Sequence, residues 1–256
     1  MRMRHLFAAC ALSLSALAPA GAEPLAPYTV FGQAFLNVGG TGVTLTDFGT
    51  QSLSLVNVGS VTMSAAGTPS PLLQADADVA GTALFGRAVV SLSYVFAVVG
   101  PQAFVPVTVD VHGAASATAS SGASFVVQSR WSMFFDEFNP VAGDAIQTPQ
   151  TFGTSFSQAF DRHLELTLIA NLPYTITMVV DAEAAATPAG SQAHATAMVD
   201  PLFTLGDGAD PQLYSLQFSS GIGNVAAVPE PPPLALWLLG AAALLGWCRR
   251  VGRREG

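Results

Sequence analysis

Val105-Pro106-Val107-Thr108-Val109-Asp110-Val111-His112 alternates apolar and polar residues one by one over eight positions. Successive side chains of an extended chain point to opposite faces, so a period of two marks a strand with one buried and one solvated face. The pattern recurs on both sides. Leu164, Leu166 and Leu168 alternate with Glu165 and Thr167, and Tyr174, Ile176, Met178 and Val180 with Thr175, Thr177 and Val179. Val90, Leu92, Tyr94, Phe96 and Val98 face away from Ser91, Ser93, Val95, Ala97 and Val99, a second face that turns apolar late and predicts a cover. Clusters of Gly, Pro, Asn and Asp at 37–42, 67–71, 100–101, 139–144, 171–173, 187–190 and 206–211 punctuate these runs with the residues tight turns need.

About ten strands at this spacing, with no long amphipathic helix, predict an all-β fold: an antiparallel β-sandwich or jelly roll. The Ala/Ser/Thr-rich stretches at 113–124 and 182–197 read as strand ends or loops. Their small side chains bury little area, so they are expected to be the least ordered parts.

Half of the 256 residues are hydrophobic and a tenth are charged, enough apolar surface for a sizeable core. Lysine is absent, and the nine arginines are unevenly placed. Arg2 and Arg4 open the chain, Arg249, Arg250, Arg253 and Arg254 close it, and only Arg87, Arg130 and Arg162 lie between. Of the seventeen carboxylates, Glu230 and Glu255 fall in the tail, leaving fifteen against three arginines, a net of −12 in the middle. Such a charge repels nucleic acid, which needs a basic footprint to release its counterions, and excludes it as a partner. The two cysteines, Cys10 and Cys248, sit in the apolar terminal segments, so the middle has neither disulfides nor thiolate chemistry.

The N-terminal segment has the order of a secretory signal: Arg2 and Arg4, an apolar run over 6–17 too short to span a bilayer, Pro19, then Ala20-Gly21-Ala22. Cleavage is expected between Ala22 and Glu23, making 1–22 a signal peptide handled by the Sec translocon and signal peptidase. A lipoprotein reading through Phe7-Ala8-Ala9-Cys10 fits poorly, because Phe7 suits no lipobox and almost no apolar run precedes it. At the other end, Val228-Pro229-Glu230-Pro231-Pro232-Pro233 is stiff and extended. The uncharged stretch 234–248 follows, then Arg249 and Arg250. As a helix this stretch rises about 22 Å against a hydrocarbon core of ~30 Å, a marginal single transmembrane helix. Its arginines would stay cytoplasmic, leaving the acidic domain of 23–227 on the far side, the topology the signal peptide also demands.

These three elements in order resemble the PEP-CTERM sorting signal of Gram-negative bacteria. The resemblance covers about thirty residues, 228–256, and the combination is more specific than any part. It implies that an exosortase reads Val228, Pro229, Glu230 and Pro231, with Arg249 and Arg250 as the cytoplasmic stop, and then releases or transfers the domain. A plain anchor with a proline stalk is the alternative. Leu172-Pro173-Tyr174-Thr175-Ile176-Thr177-Met178, Val199-Asp200-Pro201-Leu202-Phe203 and Phe218-Ser219-Ser220-Gly221-Ile222-Gly223-Asn224 are similar, more loosely, to a region that precedes such tails. The resemblance places the protein across the inner membrane, transiently single-pass, then in the envelope or outside, in the setting of an exopolysaccharide.

No stretch carries an enzyme signature. His112, His163 and His194 match no metal-ligand spacing. Asp136-Glu137 beside Trp131, Phe134, Phe135 and Phe138 has glycosidase residue types, but adjacent strand residues point apart; aromatics in the core and acids in a turn fit better. Asp207 and Asp210, with Asp200 nearby, or Asp76 and Asp78, are the carboxylates that would suit calcium, though Gly-Asp is ordinary turn chemistry; otherwise no cofactor is expected. There is no Gly-x-Ser-x-Gly elbow. The expectation is a structural or adhesive protein. A carbohydrate-binding module is the alternative if exposed aromatics line one sheet face, and a secreted hydrolase if two carboxyl groups converge in a cleft.

Overall fold

The computed structural model describes residues 24–36, 41–81, 84–101, 103–136 and 139–224. The expected signal peptide with Ala20, Ala22 and Glu23 lies outside them. So does the tail with Val228, Pro229, Glu230, Pro231, the stretch 234–248, Arg249 and Arg250. No helix among the described residues is long and apolar enough to cross a membrane.

The described residues form fourteen strands in order: β1 (Thr29–Leu36), β2 (Thr41–Leu45), β3 (Gly49–Leu55), β4 (Gly59–Ala66), β5 (Leu72–Gly81), β6 (Leu84–Val99), β7 (Phe104–Ala119), β8 (Ala123–Asp136), β9 (Asn139–Gln147), β10 (Thr151–Phe152), β11 (Ser155–Ile169), β12 (Pro173–Ala186), β13 (Ser191–Leu205) and β14 (Ser215–Phe218). They make two antiparallel sheets. One has the order β10-β8-β12-β6-β1-β2, with β9 also on β8 and β14 also on β6; the other is β11-β7-β13-β5-β4-β3. This is the all-β sandwich that the period-two pattern predicts.

The predicted inward faces are the buried ones. Val105, Val107, Val109 and Val111 of β7 are buried in one core with Val90, Leu92, Tyr94, Phe96 and Val98 of β6 and Tyr174, Ile176, Met178 and Val180 of β12. The apolar second face of β6 is covered in part: Ala97 is buried, while Val95 and Val99 are half-buried and line a groove with Pro24, Leu25 and Ala26. Residues 139–144, expected as a turn, are instead the start of β9, whose register on β8 shifts on both sides of Phe134. Pro140 and Gly143 are tolerated there because an edge strand needs only one set of ladder hydrogen bonds.

The Ala/Ser/Thr-rich stretches are strand ends, the first of the two expected readings, joined by short turns at 120–122 and 187–190. Residues 113–119 and 123–124 belong to β7 and β8, and 182–186 and 191–197 to β12 and β13. Ala115, Ala117, Ala123, Ala182, Ala184, Ala186, Ala193, Ala195 and Ala197 are buried between the sheets. The physical reason is volume. Small inward side chains let two sheets approach, and Cα atoms of β5 and β12, and of β8 and β13, come within 8 Å, closer than the ~10 Å usual for packed sheets. What these residues lack in area per side chain they recover in backbone proximity.

The opposite end is filled by rings. Phe96 lies 4.6 Å from Phe203 and 5.7 Å from both Tyr174 and Phe218, centroid to centroid. Both ends of the described chain are fastened here. Ser219 Oγ donates to the Ala26 carbonyl (2.6 Å) and accepts from the Val95 N–H (2.9 Å). Pairing of β13 with β5 ends at Val199, one residue before Asp200-Pro201. Beyond it the Asn224 amide acts as a substitute strand, accepting from Phe203 N–H (2.8 Å) and donating to its carbonyl (2.5 Å). Replacing Ser219 with alanine would leave a part-buried donor and acceptor unmet. We expect Ser219→Ala to cost about 2 kcal/mol, read as a lower urea midpoint at unchanged slope.

Candidate functional site

Asp110-Val111-His112 on β7 and Asp161-Arg162-His163 on β11 are two Asp-x-His triplets on antiparallel neighbours. The register sets His112 opposite Asp161 and His163 opposite Asp110. Each imidazole bonds the facing carboxylate through Nδ1, at 2.5 Å for His112–Asp161 and 2.7 Å for His163–Asp110. On the far side of β7, β13 sets Asp200 opposite His112. One row across three strands therefore reads Asp161–His112–Asp200, and the next His163–Asp110–Leu202. Together with Ser70 these side chains line an open cavity of about 340 Å³ on the outer face of the six-stranded sheet.

The site is electrostatically uneven. Asp200 is partly buried, which raises its carboxyl above the ordinary value, while Ser70 and the His112 charge pull it back. Its Oδ1 is buried without a hydrogen-bond partner. His163 is raised, first by its hydrogen bond to Asp110 and then by that carboxylate's charge. Arg162, between Asp161 and His163 in sequence, turns the other way and pairs with Asp144 of β9, joining an edge of each sheet. Chemically, the cavity offers two exposed imidazoles, each held by a facing carboxylate. Asp161 is 81% exposed and already engaged, so solvent screens it.

Reading the histidines one at a time along the sequence misses this pairing. The signal lies in the repeated Asp-x-His: on adjacent antiparallel strands that triplet pairs reciprocally. On the same face, His194 of β13 meets Asp76 of the next strand, β5, at 3.8 Å. Among the described residues no group of three or more His, Cys, Asp or Glu is placed to hold a metal ion. Asp210, a calcium candidate, accepts from Gln212 N–H (2.8 Å) in the turn 210–213, Asp207 lies in the preceding turn 206–209, and Asp76 and Asp78 are on β5. Asp136 caps the β8–β9 turn, accepting from Asn139 N–H and its side-chain amide. Trp131 is buried as expected, whereas Phe135 is 44% exposed; Glu137 and Phe138 lie outside the described residues.

The outer face of the eight-stranded sheet differs. Phe31 and Phe35 of β1 point outward with Phe85 of β6, and the Phe35 and Phe85 rings lie 5.4 Å apart. Beside them Arg87 makes a bidentate pair with Asp181 (2.9 and 2.5 Å), with Glu183 at 3.9 Å. Burial raises Glu183, and Arg87 opposes that shift. No family model matches the chain, and no curated protein matches it either.

The His163 shift fixes a sign. Its folded value lies above the unfolded one, so the stability it contributes is fully present below the ordinary histidine value of about 6.5 and is lost as pH rises through the folded value. The urea-midpoint gap between wild type and Asp110→Asn should therefore narrow as pH rises from below about 6.5 through the folded His163 value. His163→Gln should flatten that trend. A constant gap would show that the pair is not charge-assisted.

Proposed function

We propose that the chain is an exported protein of the cell envelope or extracellular matrix, structural or adhesive rather than enzymatic. On this reading the Sec translocon exports it and signal peptidase cuts after Ala22. Residues 234–248 hold it briefly in the inner membrane with Arg249 and Arg250 inside, and an exosortase acts at Val228-Pro229-Glu230-Pro231. The sequence order of motif, apolar stretch and arginines carries the reading.

One structural observation supports it. The segment ahead of the tail is fastened to the sandwich by Ser219 and Asn224, so the last described anchor of the fold lies four residues before Val228. A hydrolase gains no such support, because the carboxylates of the His–Asp rows sit on an open sheet face.

Mass spectrometry of the native protein from fractionated cells tests the proposal. Termini at Glu23 and near Pro229, in the envelope or medium, are expected. A C-terminus intact at Gly256 in the inner membrane would reduce it to a plain anchored protein, and an uncut Met1 terminus in the cytoplasm would overturn export.

A second reading, binding of a neutral polysaccharide, is favoured by Phe31, Phe35 and Phe85 sharing one sheet face. Phe31 and Phe35 are four residues apart on one strand, about 13 Å, with hydrogen-bonding charges beside them. Phe31→Ala with Phe35→Ala should weaken retardation in a polysaccharide-containing gel about fivefold, as expected for lost ring stacking of about 1 kcal/mol. Unchanged mobility would remove this reading.

A further inference from the structure

Every open sheet offers unpaired backbone groups at its edges, and proteins block them with charge, proline, bulges or brevity. Among the described residues the edges are β2, β3, β11, the four-residue β14 on β6 and, side by side on β8, β9 and β10. All of these except β3 are blocked. β11 carries Asp161, His163 and Glu165 outward and turns Arg162 inward. β9 begins Asn139-Pro140 and is irregular in register, while β10 has two residues. β2 has five residues including Gly42.

β3 has no such device. Gly49-Thr50-Gln51-Ser52-Leu53-Ser54-Leu55 contains neither charge nor proline, and its seven pairs with β4 run without a shift. Its other edge has no strand among the described residues. From Phe48 to Ala75 the sequence has no Asp, Glu, Lys, Arg or His, in a domain whose net charge is −12. Just past the strand, Val56 is 89% exposed, the most exposed large hydrophobic side chain described.

We propose that β3 is a docking edge for a second copy of this chain, paired antiparallel about a two-fold axis midway between the two copies of Ser52. Paired residues of an antiparallel ladder share a face, so a two-fold axis must pass between two copies of one residue. Centring it on Ser52 uses all seven residues: Thr50 meets Ser54, Ser52 meets Ser52, and Gln51 meets Leu53. The outer face then pairs hydroxyl with hydroxyl, a favourable cross-strand combination, and no like charges meet. The same register brings exposed Val56 to Phe48 of the other copy, a half-buried ring stacked on Tyr28 at 4.3 Å. Charge selects the occupant: elsewhere two copies this acidic repel, and here is the longest stretch where they do not. The proposal stands apart from how the chain is delivered.

The test uses the full chain with Cys10→Ser and Cys248→Ser, in detergent, carrying single introduced thiols. Ser52→Cys should cross-link to its own copy through a short bis-maleimide about tenfold or more faster than Ser157→Cys on the exposed face of β11, reflecting the higher effective concentration of paired thiols. Thr50→Cys mixed with Ser54→Cys should cross-link as a heterodimer, and each alone should not. Gln51→Pro should shift sedimentation from dimer to monomer. Equal cross-linking rates for Ser52→Cys and Ser157→Cys, in chains of unchanged thermal midpoint, would overturn the proposal. So would monomeric wild-type protein from about 1 μM to about 1 mM.

Discussion

Two sheets facing each other across a dry layer must fill that layer, and every other residue of each strand is committed to doing so. This constraint organises the molecule. It explains why a chain with so few charges still alternates strictly along β7, β12 and β13. A one-residue slip would turn inward valines and alanines out and bring residues such as Thr108, Asp110, Thr175, Thr177, Thr196 and Asp200 into the layer. The layer is filled unequally, with alanine at one end and a cluster of rings about Phe96 at the other. Small side chains work only where backbones come close, and the short distances between β5 and β12 satisfy that condition.

The outward faces are released from the packing constraint, and there the two sheets diverge. On the six-stranded sheet, two copies of one triplet place aspartate against histidine and produce alternating partners along β7 and β11. On the eight-stranded sheet the exposed chemistry is a bidentate guanidinium–carboxylate pair among phenylalanines. Asp181 is only 8% exposed although it points outward, which a charge tolerates because both its oxygens are met by Arg87. Acid is thus placed where an imidazole or guanidinium answers it, or where a turn uses it, as at Asp136 and Asp210.

What can be read from the sequence follows from the range of the interactions. Strands such as Val105–Val111 are legible because the pattern is local and large side chains make it conspicuous. The alanine-rich segments are not, since their composition matches that of a linker; their burial depends on the opposite sheet, which no local window contains. Pairing His112 with Asp161, 49 residues away, requires knowing that β7 and β11 are neighbours and in which register. The repeated Asp-x-His hints at that register but cannot choose the neighbour. Residues 139–144 mislead for a related reason, because proline and glycine punctuate turns and are also tolerated on a bulged edge.

Edges are where the sandwich remains unfinished, and the ways they are closed differ in kind. At the ring-filled end the chain closes its own gaps with side chains: the Asn224 amide stands in for a strand beside Phe203, and the Ser219 hydroxyl bridges β6 to residue 26. At β11 and β9 closure is electrostatic, since the Arg162–Asp144 pair spans both sheets with a charge that an added strand would have to desolvate. Neither device occurs along β3, where the sequence supplies only hydroxyls, an amide and leucines. A ladder already ordered on one side has lost most of its conformational entropy, so an added strand meets preorganised donors and acceptors. An edge of that kind gains from pairing what the protected edges would lose.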